Sequence, residues 1–471
     1  MSHCVNRQNV IYYQGERLKK MVFMRKITEM LRKWKNEDCN ECALLIDGAR
    51  RVGKSFIVEE FAKSEFPGYL VINFKYASTD VKETFNEYLD RLDLFFQRLF
   101  LTVGNKPLPK GSLIVFDEVQ AFPRAREAIK PLIADGRYHY IETGSLISIK
   151  KNTDGILIPS EERHVKMYPM DFEEFLWASG QEALMPIIRE AFLKRESLKN
   201  LHRLAMDEFK AYLLVGGMPQ AVKKYVQTHD FGAVDRVKRD ILELYRAGIV
   251  KHAGSQANKV MLMWDGIPAQ LSAHEKTYKL SDLAPEARLR EYADPIFWLQ
   301  DAMTCNFCYN STEPNLGLAL SSDHTTFKCY MADTGLLVSH AFDENTLASA
   351  EIHKRIMTGE LSVNKGMLME NIVAQMLTAS GRKLYFYSRA DANDRSNRLE
   401  IDFVIAKSVL GKKKNITPLE IKSGKRAKFA SLRKFAEKFG DFVDEPLLFH
   451  MKDLKADGGT TFLPLYMASC L

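Results

Sequence analysis

The stretch CALLIDGARRVGKSFIVEEFAKSEF, Cys42 to Phe66, constrains the fold of this chain more than any other. Ala43 to Ile46 is a short apolar run suited to a strand buried on both faces, as in a parallel sheet. It runs into Gly48-Ala-Arg-Arg-Val-Gly53-Lys54-Ser55, which fits G-x-x-x-x-G-K-[ST]. Ile57, Val58, Phe61 and Ala62 then recur at helical spacing. Strand, glycine-rich loop and helix N-terminus in that order wrap successive backbone N–H groups around phosphate oxygens. The reading is a nucleotide site in an α/β domain. Gly48, Arg51, Val52, Gly53, Lys54, Ser55 and Phe56 form the phosphate cradle, with Lys54 on the β- and γ-phosphates of ATP and Ser55 on Mg2+.

Such a loop needs an acidic strand beside it. Leu113-Ile-Val-Phe-Asp117-Glu118 supplies one, with Asp117 expected to hold Mg2+ through its water shell and Glu118 to orient or deprotonate the attacking water. The next strand, Tyr138 to Ser145, ends in Thr143 and Ser145, candidates for sensing the γ-phosphate. Glu142, near the end of that central strand, has no evident reason to be there.

The order IDGARRVGKS, LIVFDEVQ, ETGSL, RHVKMYPMDFEEFL and LLVGGMPQAV resembles an AAA-type P-loop ATPase family of bacteria and archaea. That family carries a nuclease-like C-terminal domain of unknown function. The resemblance implies an arginine finger at Arg163, where Glu162-Arg163 stands for the family's Gly-Arg pair. It also implies a leading helix at Met24 to Lys35, so residues 1–20 are expected to be a disordered extension. AAA-type proteins commonly assemble into hexameric rings, which keeps a homo-oligomer among the expected partners.

The pattern is helical from about Asp207 to Gln256, broken by the turn Val215-Gly-Gly-Met-Pro219. Two further helices (258–272 and 293–306) and a hairpin suggest a winged helix. Its second helix, from Pro295 to Cys305, has no Lys or Arg, so packing rather than DNA reading is expected of it.

Farther on, Gly366 to Leu377 reads as a helix with Glu370 on an apolar face, an expensive place for a carboxylate without a partner. Leu384 to Tyr387 reads as a strand, and Glu400 to Ile405 as another, with Asp402 inside it. In Pro418-Leu-Glu420-Ile-Lys422, alternation puts Glu420 and Lys422 on one face and Ile421 on the other. This set resembles the PD-(D/E)XK nucleases, and the resemblance maps Glu370, Asp402, Glu420 and Lys422 onto their active site. Asp402 and Glu420 then become metal ligands and Lys422 the group that positions water. Gln375 is an accessory candidate.

From Lys407 to Lys438 there are eleven Lys/Arg against two acids, the footprint of a solvated face or of a surface for DNA or another nucleic acid. No apolar run reaches the roughly 18 residues a membrane span needs, and no signal peptide is evident, so a cytoplasmic protein is expected. Seven Cys, with pairs Cys39/Cys42 and Cys305/Cys308 far apart, suggest reduced thiols rather than disulfides or zinc.

The expected architecture is α/β in three parts. A P-loop NTPase (AAA-type) parallel sheet spans 21–205, a helical and winged-helix region 206–355, and an α/β restriction-endonuclease-like domain 356–471. The expected function is Mg2+-dependent ATP hydrolysis coupled to nucleic-acid binding or processing. The alternative is an ATP-switched interaction or signalling scaffold whose nuclease-like domain is silent.

Overall fold

The computed structural model describes residues 21–145, 159–273, 277–315, 317–342, 355–357, 365–389, 399–406, 414–422, 430–457 and 459–471. The expected extension at 1–20 and much of the 407–438 basic run lie outside them. The chain forms two compact units, Met1–Tyr168 and Pro169–Leu471.

The first unit is built on a parallel sheet of β1 (Ala43–Asp47), β2 (Tyr69–Asn73), β3 (Leu113–Asp117), β4 (His139–Gly144) and β5 (Glu162–Lys166), in the order β2-β3-β4-β1-β5. Every residue of β1 and β3 is buried, as the apolar runs require. One face of β3 is locked by an aromatic cluster. Phe116 meets Phe74 and Phe85 edge-on at centroid distances of 5.5 and 5.4 Å. Alternation then fixes the neighbouring side chain, Asp117, on the opposite side. The helix Ile27–Glu37 leads into this sheet.

The second unit opens with a capping box. Asp171 accepts from Glu174 N at 2.9 Å and Glu174 accepts from Asp171 N at 3.2 Å, starting the helix Phe172–Ala178. Helices Asn200–Val215, Pro219–Thr228, Phe231–His252, Ala257–Ser272 and Leu289–Asp301 follow. The last of these stops at Asp301, and Cys305, expected in a helix, instead begins β6 (Cys305–Ser311). β6 pairs antiparallel with β7 (Ser322–Met331) and parallel with β8 (Leu384–Arg389), which pairs with β9 (Leu399–Ile401). The expected wing hairpin is therefore half of a four-stranded sheet shared with C-terminal strands. A second sheet has the order β10 (Phe403–Ala406), β11 (Ile416–Ile421), β12 (Leu447–His450), β14 (Thr460–Pro464) and β13 (Lys455–Asp457). Asp402 is not inside a strand: it is the joint where the chain leaves β9 in one sheet for β10 in the other.

Buried polar groups tie this unit together. Asp333 accepts from Gly217 N at 2.6 Å and caps the helix Thr334–Ala341 through Leu336 N at 2.9 Å. Gln375 accepts from Thr334 N at 2.7 Å and donates to the Tyr212 hydroxyl at 2.9 Å. Asn371 holds the end of β7, accepting from Met331 N at 2.8 Å and donating to Met331 O at 3.1 Å. Gln375 is therefore a structural fastener rather than an accessory to chemistry. At Gly335 the backbones approach so closely that an added Cβ would lie 2.4 Å from Val215 O.

Two substitutions check this interlock. Asp333→Ala leaves two buried N–H groups without an acceptor and is expected to cost at least about 2 kcal/mol. Gly335→Ala forces the backbones apart, at about 1–3 kcal/mol. Both are read from denaturant unfolding followed by circular dichroism.

Candidate functional site

The phosphate loop leaves β1 at Asp47 and enters the helix Lys54–Glu65. Gly48 is fixed by space, since an added Cβ would lie 2.4 Å from Met167 O. Gly53 is fixed by conformation, at φ +97°. Arg51 also adopts positive φ, +70°, a conformation that costs a non-glycine residue. From behind, the buried Arg25 donates to Val52 O at 3.0 Å and Tyr168 O at 2.8 Å, pinning the loop. Lys54 is buried, and its Nζ donates to Gly48 O at 2.7 Å and Ala49 O at 2.9 Å. Burial lowers its pKa to about 8, against the opposing pull of Glu118, Asp47 and Asp117.

The ends of the parallel strands converge on one carboxylate. Register aligns Asn73, Asp117 and Thr143 at one level of β2, β3 and β4. Asp117 Oδ1 accepts from Ser55 Oγ at 2.7 Å and from Thr143 Oγ1, and Oδ2 accepts from Asn73 Nδ2 at 2.6 Å. Glu118, at φ +57°, turns the chain off the strand and accepts from Gln120, whose Oε1 takes Ser145 N at 3.4 Å. The expected residues Lys54, Ser55, Asp117, Glu118 and Thr143 thus meet, and Ser145 reaches the group through Gln120. Phe56 sits in the first helical turn, beside Ser55.

In the second unit, Asp402 stands opposite Glu420 in the β10–β11 register, where Phe403 pairs with Leu419. Asp402 Oδ2 accepts from Ile421 N at 2.8 Å, and Lys422 Nζ donates to Glu420. Burial, then the Asp402 charge, lifts Glu420 to about 7. Glu370, in the helix Lys365–Ala379, accepts from the Tyr330 hydroxyl at 3.3 Å. The expected four side chains are brought into one cluster, joined by Lys328 of β7. Its side chain is fully buried, with Nζ 3.1 Å from Glu400 and 3.8 Å from Asp402. The Glu400 contact is ionic rather than a well-directed hydrogen bond. Burial alone would lower the Lys328 pKa, but Glu370, Asp402 and Glu400 outweigh it and hold it above the ordinary lysine value. Among the described residues no three His, Cys, Asp or Glu side chains form a group able to hold a metal ion. Asp402, one of the two expected ligands of a divalent ion, already has the Lys328 ammonium beside it, while the cation on Glu420 is Lys422.

Three family models match the chain. Residues 40–176 match the AAA domain, residues 206–346 a domain of unknown function (DUF8612), and residues 365–467 a domain of unknown function (DUF4143). None of the curated proteins compared with the chain matches it. Among solved structures, the Walker-type ATPase paby2304 of Pyrococcus abyssi is similar at 17% identity, over 68% of this chain and 96% of that one, with a TM-score of 0.39. The Orc1 protein of Aeropyrum pernix, solved in complex with DNA, is 12% identical over 69% of this chain and 94% of its own, with a TM-score of 0.28. Among the described residues no helix is long and apolar enough to cross a membrane.

The first unit does not bring Arg163 to its own phosphate loop. Arg163 lies beside Leu44 on β5, toward the opposite end of β1 from the loop, and its guanidinium pairs with Asp38. The same unit explains Glu142. Arg126, nearly fully buried, grips Glu162 through two hydrogen bonds of 3.0 and 2.6 Å, and His164 Nε2 lies 2.6 Å from Glu162. Burial and the adjacent Glu162 carboxylate push Glu142 well above the ordinary carboxylate range. Glu162, although buried, is held low by His164 and Arg126.

Sequence reading missed Arg25, Asn73 and Lys328. Asn73 had a signal, a polar residue closing an apolar strand as Asp117 does; so did Lys328, a lysine inside Phe327-Lys-Cys-Tyr-Met. Removing the Asn73 contact leaves Asp117 less firmly oriented. Asn73→Ala is expected to raise the Mg2+ needed for half-maximal ATP hydrolysis by roughly 10- to 100-fold, the usual penalty for losing a group that orients a ligand, as read from a Mg2+ titration.

Proposed function

We propose that the AAA domain binds ATP together with Mg2+ and hydrolyses it. The observation that carries this is the convergence of Ser55, Asn73 and Thr143 on Asp117, beside a loop threaded by the Lys54 ammonium. A hydroxyl and a carboxylate 2.7 Å apart are the hard-oxygen donors that suit Mg2+. Bound there, the ion would draw charge from the β- and γ-phosphates. The chain's own groups do the rest. Loop N–H groups and the helix N-terminus hold the phosphates, and Lys54 offsets their charge. Glu118 orients water and takes its proton, while Asn73 and Thr143 keep Asp117 from turning away.

The second part of the proposal concerns the C-terminal domain. ATP turnover is read as setting the state of a module that binds nucleic acid or a protein partner through basic residues of the 407–438 run. The Lys328 ammonium among the carboxylates favours the reading in which this module binds without cutting, as in a switched scaffold.

Lys54→Ala is expected to abolish ATP hydrolysis, and wild-type turnover by that variant would overturn the loop assignment. Glu118→Gln should keep nucleotide binding and lower kcat by about 10²- to 10⁴-fold, measured by phosphate release alongside ATP titration. For the C-terminal domain, wild type and Lys422→Ala are expected to show equal, negligible cleavage of DNA and RNA in Mg2+ or Mn2+. Cleavage lost in the variant would restore the nuclease reading.

A further inference from the structure

Four acids and two lysines meet in the C-terminal cluster, and they fall into two groups. Lys422, from the same strand as Glu420, donates to Glu420. Lys328 arrives from β7, outside every segment that carries the Glu-Asp-Glu-x-Lys pattern, and faces Glu400, Asp402 and Glu370. No part of its side chain reaches solvent, and Nζ also lies over the Phe386 ring, 4.9 Å from its centroid. Its pairing partner in β6 is Cys308, itself fully buried, so the lysine stem is enclosed by its own sheet.

We propose that the Lys328 ammonium is the resident cation of this carboxylate cluster and takes the place that a divalent metal ion would fill beside Glu370 and Asp402. Buried carboxylates destabilise a fold unless an opposite charge compensates them. In a metal enzyme a divalent ion supplies that charge; here a covalently tethered ammonium does, from a neighbouring strand. A second cation entering the same cluster would meet strong repulsion at low dielectric. The two charges differ in chemistry as well. An ammonium has no coordination sphere in which to bind and polarise water. Lys328 therefore holds the acids together as a structural charge core. This assignment does not rest on the ATPase reading.

The test is Mn2+ binding by the full-length protein, without nucleotide and in an Asp117→Asn background that removes the phosphate-loop ligand. Electron paramagnetic resonance counts the bound ions. The parent is expected to bind no Mn2+ that depends on Asp402. Lys328→Ala is expected to gain one Mn2+ ion per chain, lost again when Asp402→Asn is added, with a melting temperature that Mn2+ raises in the single variant only. If Lys328→Ala does not fold, Lys328→Met with Glu400→Gln removes one charge of each sign and takes its place. Mn2+ binding by the parent that Asp402→Asn abolishes would overturn the assignment. So would a folded Lys328 variant that binds none.

Discussion

A charge taken out of water must find its compensation inside the protein, and both compact units of this chain are organised around that requirement. In the first, the Asp117 carboxylate is 5% exposed and carries donors from Ser55, Thr143 and Asn73. In the second, Asp333 is 1% exposed and is satisfied by two backbone N–H groups from separate turns. Each acid decides where its neighbours must be. β4 has to lie between β1 and β3 for Thr143 to reach Asp117, and the Gly216-Gly217 turn has to approach the helix at Thr334 for Asp333 to be paired. Strand order and loop close-packing follow from satisfying these groups as much as from apolar burial.

What could be read in advance was local. The phosphate loop, its flanking strand and helix, and the acidic strand are contiguous, so a period of two or 3.6 and a few glycines identify them. Alternation along Glu420-Ile421-Lys422 likewise put two charges on one face without any tertiary knowledge. The rest was not contiguous. Asn73 is 44 residues from Asp117, and Arg25 is 27 residues from the loop carbonyl it pins. Nothing in either neighbourhood names the partner. Arg163 shows the same limit from the other side: its motif was legible, but only the β1–β5 register revealed which end of the strand it occupies. Asp402 read as a strand residue because apolar residues flank it on both sides, and only the exchange between two sheets makes it a joint. Glu142 remained unexplained until Arg126 and Glu162 were seen beside it.

The hairpin β6–β7 is the most instructive departure. Helices followed by a hairpin are the outline of a winged helix, but β6 pairs with β8 as well as with β7. A wing free to read DNA has an open outer edge, whereas this hairpin has one edge inside a sheet. That pairing is also what delivers Lys328 to the carboxylates. The departure from the expected architecture thus also underlies the proposed role of Lys328.

Lys54 and Lys328 are the same residue type, both are buried, and they end in opposite electrostatic conditions. The hydrogen-bond acceptors of Lys54 are neutral carbonyls of its own loop, so burial prevails and its pKa falls to about 8 even with acids nearby. Lys328 lies against Glu400 and Asp402, with Glu370 also pulling on it, and its proton is held more tightly than that of a lysine in water. A polyphosphate brought to Lys54 improves the surroundings of an under-compensated ammonium, which is a reason to bind. An anion brought to Lys328 would compete with carboxylates already in place, and a metal ion would compete with the ammonium itself. In the proposed reading the same side chain is thus a binding group at the end of one sheet and an internal ion pair at the junction of two others, and the difference lies in whether its direct contacts are dipoles or charges.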